Sequence, residues 1–178
     1  MSTVQKPYET IEDFATGRKV PDIGAEGNRQ DVERFLVEAK GYDKSDLEID
    51  VPMELTVAGE PYRSRVDLVV RVDGVPYMAF KCVAGSLGSR EREIASAARL
   101  VFPDAQIPIA VSSDGENAIV LDAISGKKLG EGLSAIPSRE AARKALKSYE
   151  PTPVSKDRSE REKLVFRTYD LENVNRRL

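Results

Sequence analysis

Asp67 and Lys81 are the residues of this chain whose types and placing could do chemistry together. A carboxylate can hold a divalent cation, and an ammonium can steady an attacking water or a developing charge. Each lies in a β-like run, Tyr62–Val72 and Val75–Ala84, and the Asp73-Gly74 pair between the runs is a turn signal. Lys81 falls inside the apolar stretch Met78–Ala84. An ammonium there is costly unless it has a partner or snorkels to water from an edge position. Asp67, flanked by Val66 and Leu68, poses the same question. Two residues before the lysine stands Ala79, so a second acid does not come from that position.

The elements around this pair follow from periodicity. Asn28–Lys40 carries Val32, Phe35, Leu36 and Ala39 at helical spacing, with Gly41 as a stop. Leu47–Val57 reads as a strand interrupted near Pro52. After Lys81, Gly85–Ser89 opens a helix over roughly Arg90–Phe102, with Ser89 as its N-cap. Ile107–Val111 and Ala118–Ile124 read as strands, with a Ser113-Asp114-Gly115 turn between them. A helix follows Pro137, capped by Ser138, and the charged Lys156–Asn173 stretch is helical by pattern. The expected fold class is α/β, a mixed central β-sheet flanked by helices, with a right-handed crossover between Val75 and Val111. The expected organisation is an arm over 1–25 with a short helix near Thr10–Ala15, a domain over 26–150 and a helical tail over 151–178.

Composition narrows the chemistry. The 178 residues include no histidine and one cysteine, Cys82, so His-based triads and Cys- or His-ligated zinc are excluded, as is an intrachain disulfide. A net charge of -3 argues against a general nucleic-acid coat but leaves room for basic groups confined to one groove. The absence of a long apolar run and of a leader pattern gives the expectation of a cytoplasmic protein with no membrane contact. Gly85–Ser89 lacks the lysine of a phosphate-cradling P-loop and reads as a turn.

The order strand, Asp67, turn, strand, Lys81, helix resembles the PD-(D/E)xK restriction-endonuclease-like core. More closely, Arg29-Gln30-Asp31-Val32-Glu33, Lys40-Gly41-Tyr42, Arg65–Val70, Lys81 and the Ser113–Leu121 hairpin resemble the N-terminal nuclease domain of type I restriction enzyme R subunits, here as a stand-alone relative without the helicase motor. The resemblance implies phosphodiester cleavage in DNA with Mg²⁺ or Mn²⁺. By position, Asp67 would ligate the metal and Lys81 would orient the attacking water. Ala79 departs from the pattern, because a second metal-binding acid is usual there.

That acid would have to come from elsewhere. In some type II restriction endonucleases the helix after the lysine supplies it, and here that helix offers Glu91 and Glu93. Sequence spacing favours Glu93. The helical wheel favours Glu91, which shares the stripe of Ile94, Ala98 and Val101. On the same wheel Arg90 points inward, and Arg92 and Arg99 point out. Glu33 or Glu26 on the first helix could assist the metal, and Arg63, Arg65 and Arg90 could contact DNA phosphates. One geometric condition attaches. A strict two-residue Asp73-Gly74 hairpin puts Asp67 opposite Phe80, on the wrong face for Lys81, so a longer turn or a bulge is required. The alternative is an inactive nuclease fold that binds DNA or a protein, with a homodimer or an unknown protein as partner.

Overall fold

The computed structural model describes residues 8–171. A small hairpin comes first, β1 (Thr10–Glu12) with β2 (Lys19–Pro21), followed by α1 (Glu26–Lys40). The main sheet then assembles from β3 (Leu47–Val57), β4 (Glu60–Val72), β5 (Val75–Cys82), β6 (Ile109–Ser113), β7 (Ala118–Asp122) and β8 (Lys128–Glu131). Helix α2 (Glu91–Leu100) crosses from β5 to β6, and α3 (Arg139–Leu146) and α4 (Lys156–Tyr169) follow the sheet. The six strands lie in sequence order. Only β5 and β6 run parallel, which is why a helix joins them and hairpins suffice elsewhere among the six. The fold is thus α/β, with a six-stranded mixed sheet, a separate two-stranded sheet and four helices.

Strand alternation sorts the core into two layers. Leu68, Val70, Phe80 and Val111 point to one face and pack with Val32 and Leu36 of α1 and Ala142 of α3. Val69, Ala79, Ala110 and Leu121 point to the other and pack with Ile94 and Ala98 of α2 and Phe166 of α4. Burying a side chain such as Leu68 or Phe80, both fully inaccessible, stabilises the fold by about 1.5–3 kcal/mol each.

Several sequence expectations change. Thr10–Ala15 is not helical: Thr10–Glu12 is a strand, consistent with its β-branched Thr-Ile pair and with pairing partners in Lys19–Pro21. Ser89 does not cap α2; its hydroxyl donates to the Ser86 carbonyl at 2.8 Å, and a single 3-10 turn over Gly88–Arg90 leads into the helix. Strand β8 was not legible as a strand, because Lys128–Glu131 is short and largely exposed. Ser138 does cap α3, accepting from the Ala141 amide at 3.2 Å. Gly41 ends α1 in the left-handed conformation, as its place after Lys40 implies. The expected end of the last helix at Asn173 lies outside the described residues.

Candidate active site

The β4–β5 hairpin keeps its two-residue turn and still brings Asp67 to Lys81. Asp73 and Gly74 both have positive φ, 51° and 84°, as a type I′ turn requires. Val72 pairs Val75 and Arg71 pairs Pro76, but Val70 then pairs Met78, so Tyr77 is an extra residue in β5. This bulge shifts the register by one and turns Lys81 onto the face of Asp67. The required irregularity is therefore present, beside the turn rather than beside Asp67.

The Lys81 ammonium lies 3.4 Å from Asp67 Oδ1 and 3.4 Å from Glu93 Oε1. One cation thus bridges a strand carboxylate and a helix carboxylate. The other Asp67 oxygen accepts the Cys82 amide at 2.8 Å, which ties the acid to the end of β5. Glu93 is held from three sides. Arg90 Nη1 donates to its Oε2 at 3.0 Å, and the Leu171 amide donates to its Oε1 at 3.2 Å. Lys81 supplies the third contact.

Burial and charge compete on both acids. Burial pushes Asp67 up, and Lys81, the Cys82 amide and Arg65 oppose it without cancelling it. Burial likewise pushes Glu93 up, against Lys81, the Leu171 amide and Arg90. Both carboxyls therefore stay above their ordinary range, so a further cation near them would stabilise their charged forms. The Cys82 thiol is raised well above its usual value by burial, which removes it as a nucleophile.

Glu93 rather than Glu91 reaches the lysine. Glu91 is half-buried, with Lys128 at 3.9 Å. The wheel misleads because α2 has two covered faces. One rests on the sheet, where Ile94 and Ala98 pack with Ala79. The other meets α4, where Ser96 and Arg99 both bond Glu162, at 2.7 Å each. Arg99 is accordingly buried instead of outward. Of the three arginines proposed to contact DNA, Arg65 lies beside Asp67 and pairs with Asp50 at 3.3 Å. Arg63 sits farther out, 79% exposed, and pairs with Glu54. Arg90 is turned to Glu93 and to the Tyr169 carbonyl.

Glu33 serves a different network. It accepts Arg29 at 2.6 Å and the Ala15 amide at 3.2 Å, while Gln30 accepts the Phe14 amide at 3.1 Å. Arg29 also bonds Asp13 at 2.8 Å and Glu26 at 2.5 Å. The Arg-Gln-x-x-Glu segment of α1 thus fastens the chain that follows β1. Burial lifts the Glu33 carboxyl to about 7 in spite of Arg29.

A cleft of about 480 Å³ opens over Asp67 and Lys81, lined also by Arg65, Asp50, Arg29 and Glu26, with Val20, Pro21, Ile23 and Leu171 among its apolar walls. Asp50 is the site residue that sequence reasoning missed. Ile49 pairs Leu68 and Val51 pairs Val66, so Asp50 stands opposite Asp67, with a left-handed φ of 53° inside a strand. The signal was available in Ala58-Gly59, a second positive-φ turn that sets this register. Among the described residues, no group of three or more Asp, Glu, Cys or His converges in a way that could hold a metal ion. The converging set is the two carboxylates of Asp67 and Glu93. That meets the minimum Mg²⁺ accepts when water and phosphate oxygens complete its shell.

The hairpin and the crossover helix of this α/β protein place Lys81 between Asp67 and Glu93, and Asp67 and Lys81 line the cleft. Residues 24–137 match the family model for the type I restriction enzyme R protein N terminus, and the chain belongs to that family. No curated protein and no solved structure matches the chain. The matched stretch covers α1 through β8 but not the β1–β2 hairpin, which lines the cleft, or Leu171 beyond α4, which lines the cleft and bonds Glu93. No helix among the described residues is long and apolar enough to cross a membrane.

Proposed function

We propose that this protein hydrolyses phosphodiester bonds in DNA, using Asp67 and Glu93 to hold Mg²⁺ or Mn²⁺ and Lys81 to position the attacking water. The observation that carries the reading is the shared contact of the Lys81 ammonium, 3.4 Å from both carboxylates. Family membership supports a restriction-type nuclease module.

Bound divalent metal would supply an activated water at neutral pH and charge stabilisation at the leaving oxygen. The chain's own residues do the rest. Cys82 N–H fixes one Asp67 oxygen, so the other faces the cleft. Arg90 and the Leu171 amide orient Glu93 across from it. Lys81 is a compact ammonium on a flexible stem, suited to release the acids and meet a phosphate oxygen or the incoming water. Arg65, at the cleft wall, can transfer its charge from Asp50 to a neighbouring phosphate.

The test is cleavage of supercoiled and linear DNA with Mg²⁺ or Mn²⁺, run beside Lys81→Ala. Cutting that disappears in the variant supports the assignment, and cutting that persists removes Lys81 from the site. A second reading, a non-catalytic module that binds DNA or a protein, is favoured by Ala79 alone. It is adopted if neither metal supports cutting.

A further inference from the structure

Resting on the nuclease reading, we infer that segment 169–171, where α4 ends, is a positioning element for Glu93. It fixes that carboxylate so that it can share a divalent cation with Asp67.

The two acids differ in what holds them. Asp67 has a short side chain on an inner strand, and the Cys82 amide of the neighbouring strand ties it down at 2.8 Å. Glu93 stands in the first turn of α2, on a side chain one methylene longer, and no side chain caps that helix. A longer side chain loses more rotamer freedom when it is fixed, so more contacts are needed to fix it.

A carboxylate offers about four acceptor positions. On Glu93, Arg90 takes one on Oε2, and Lys81 and the Leu171 amide meet Oε1. The Leu171 N–H belongs to the backbone and cannot swing away as the flexible Lys81 stem can. The same segment also aims Arg90, whose Nη1 donates to the Tyr169 carbonyl at 3.1 Å. Arg92 Nη1 donates to the Tyr169 hydroxyl at 2.8 Å, and its guanidinium lies 5.5 Å from the centre of that ring. The first turn of α2 is thus bound to the end of α4 on both sides of Glu93.

The segment is itself anchored. The Asp170 amide closes α4 on the Phe166 carbonyl at 2.8 Å, and the backbone of Asp170 is then extended, with φ -60° and ψ 114°. This break takes the Leu171 N–H out of the helix ladder and gives it to Glu93. Asp170 is 1% exposed, and its Oδ2 accepts the Tyr62 hydroxyl from β4. Phe166 meets the Tyr62 ring edge to face, with centroids 6.2 Å apart. Strand β4 therefore supports both acids: it carries Asp67, and through Tyr62 and Asp170 it anchors the amide that holds Glu93. Segment 169–171 lies beyond the family-matched stretch 24–137, so this support comes from outside the family pattern.

The experiment measures Mn²⁺ binding to the full chain by electron paramagnetic resonance of free Mn²⁺, the Mn²⁺ concentration that half-saturates DNA cleavage, and metal-free thermal unfolding. The parent is compared with Leu171→Pro, Leu171→Ala and Tyr62→Phe. Leu171→Pro removes the N–H, and Asp170 already has the extended backbone that a following proline demands. Leu171→Ala keeps the N–H. We expect Leu171→Pro to weaken Mn²⁺ binding and raise the half-saturating concentration about ten-fold, Tyr62→Phe about three-fold and Leu171→Ala less than about two-fold, as loss of a group that orients a metal ligand requires. A brace with a structural role alone would lower the unfolding temperature and leave Mn²⁺ affinity as it was. Parent-like affinity in folded Leu171→Pro, or equal losses in Leu171→Pro and Leu171→Ala, overturns the inference and leaves the nuclease reading intact. Should Leu171→Pro not fold, parent-like affinity in Tyr62→Phe overturns it. A parent that neither binds Mn²⁺ nor cuts removes the nuclease reading and this inference with it.

Discussion

Two buried charge clusters flank the end of β5, and they are built to opposite ends. Around Arg29 the contacts are short, 2.5 to 2.8 Å to Glu26, Glu33 and Asp13. A planar guanidinium with five donors is matched by three acids, and Glu33 also takes a backbone amide. Around Lys81 both contacts are 3.4 Å, and one ammonium is divided between two acids that burial has raised above their normal range. Both clusters contribute to the lining of one cleft, the first through Arg29 and Glu26 and the second through Lys81 and Asp67. The first fastens the arm to α1 by short contacts, and the second holds its cation at longer range, although both appear in the sequence as charges among apolar residues.

The largest effect that could break this contrast is Arg29→Ala. It leaves Glu33 and Asp13 buried without their partner and should destabilise the fold by about 3–5 kcal/mol, read by urea denaturation. A loss under 1 kcal/mol would mean that the network around Arg29 is not the fastening it resembles. Next comes pH. The Glu33 carboxyl titrates near 7 in the fold against 4.5 as its ordinary value, so the folded state keeps a proton that the unfolded chain has released. Its contribution is fully present below pH 4.5 and is lost as pH rises towards and through 7, by roughly 3 kcal/mol. Glu33→Gln should flatten this part of the stability profile.

Lys81→Ala should lower cleavage by about a hundred-fold, in the range of removing a positioned general acid-base or charge-stabilising group. Because the same cluster holds two raised acids, cutting by the parent protein should weaken as pH falls and Asp67 and Glu93 take up protons. A smaller effect is expected at Tyr62, whose hydroxyl bonds Asp170 one residue before the amide that holds Glu93. Tyr62→Phe should cost about 1 kcal/mol, measured by thermal unfolding. Least of all, Glu91→Gln should change stability by under about 0.5 kcal/mol, since it removes only a contact with Lys128.

Much of the fold was readable because its elements obey simple periods. The helix ending at Gly41, the Asp73-Gly74 turn and the crossover between β5 and β6 all follow from local sequence. The pairing of Asp67 with Lys81 was readable only as a condition, because one bulged residue, Tyr77, decides which face Lys81 takes. Asp50 could be placed opposite Asp67 only by reading Ala58-Gly59 as a two-residue turn, and the left-handed backbone at its own position gave no sequence signal. The choice between Glu91 and Glu93 was not available from the helical wheel. That choice depends on α4, which covers the second face of α2 from more than sixty residues away in sequence, as the bond between Ser96 and Glu162 records. Glu33 shows the same limit in reverse: its role in fastening the arm depends on Ala15 and on Arg29, one turn away, being already engaged with Asp13.

The most direct measurement is cleavage of supercoiled and linear DNA in Mg²⁺ and in Mn²⁺ by the parent protein, Glu93→Gln and Glu91→Gln. We expect the parent to cut, Glu91→Gln to cut within about two-fold of it, and Glu93→Gln to fall by about a hundred-fold. Full activity in Glu93→Gln, or a parent protein inert with both metals, would contradict the assignment of Glu93 as the second acid of the site.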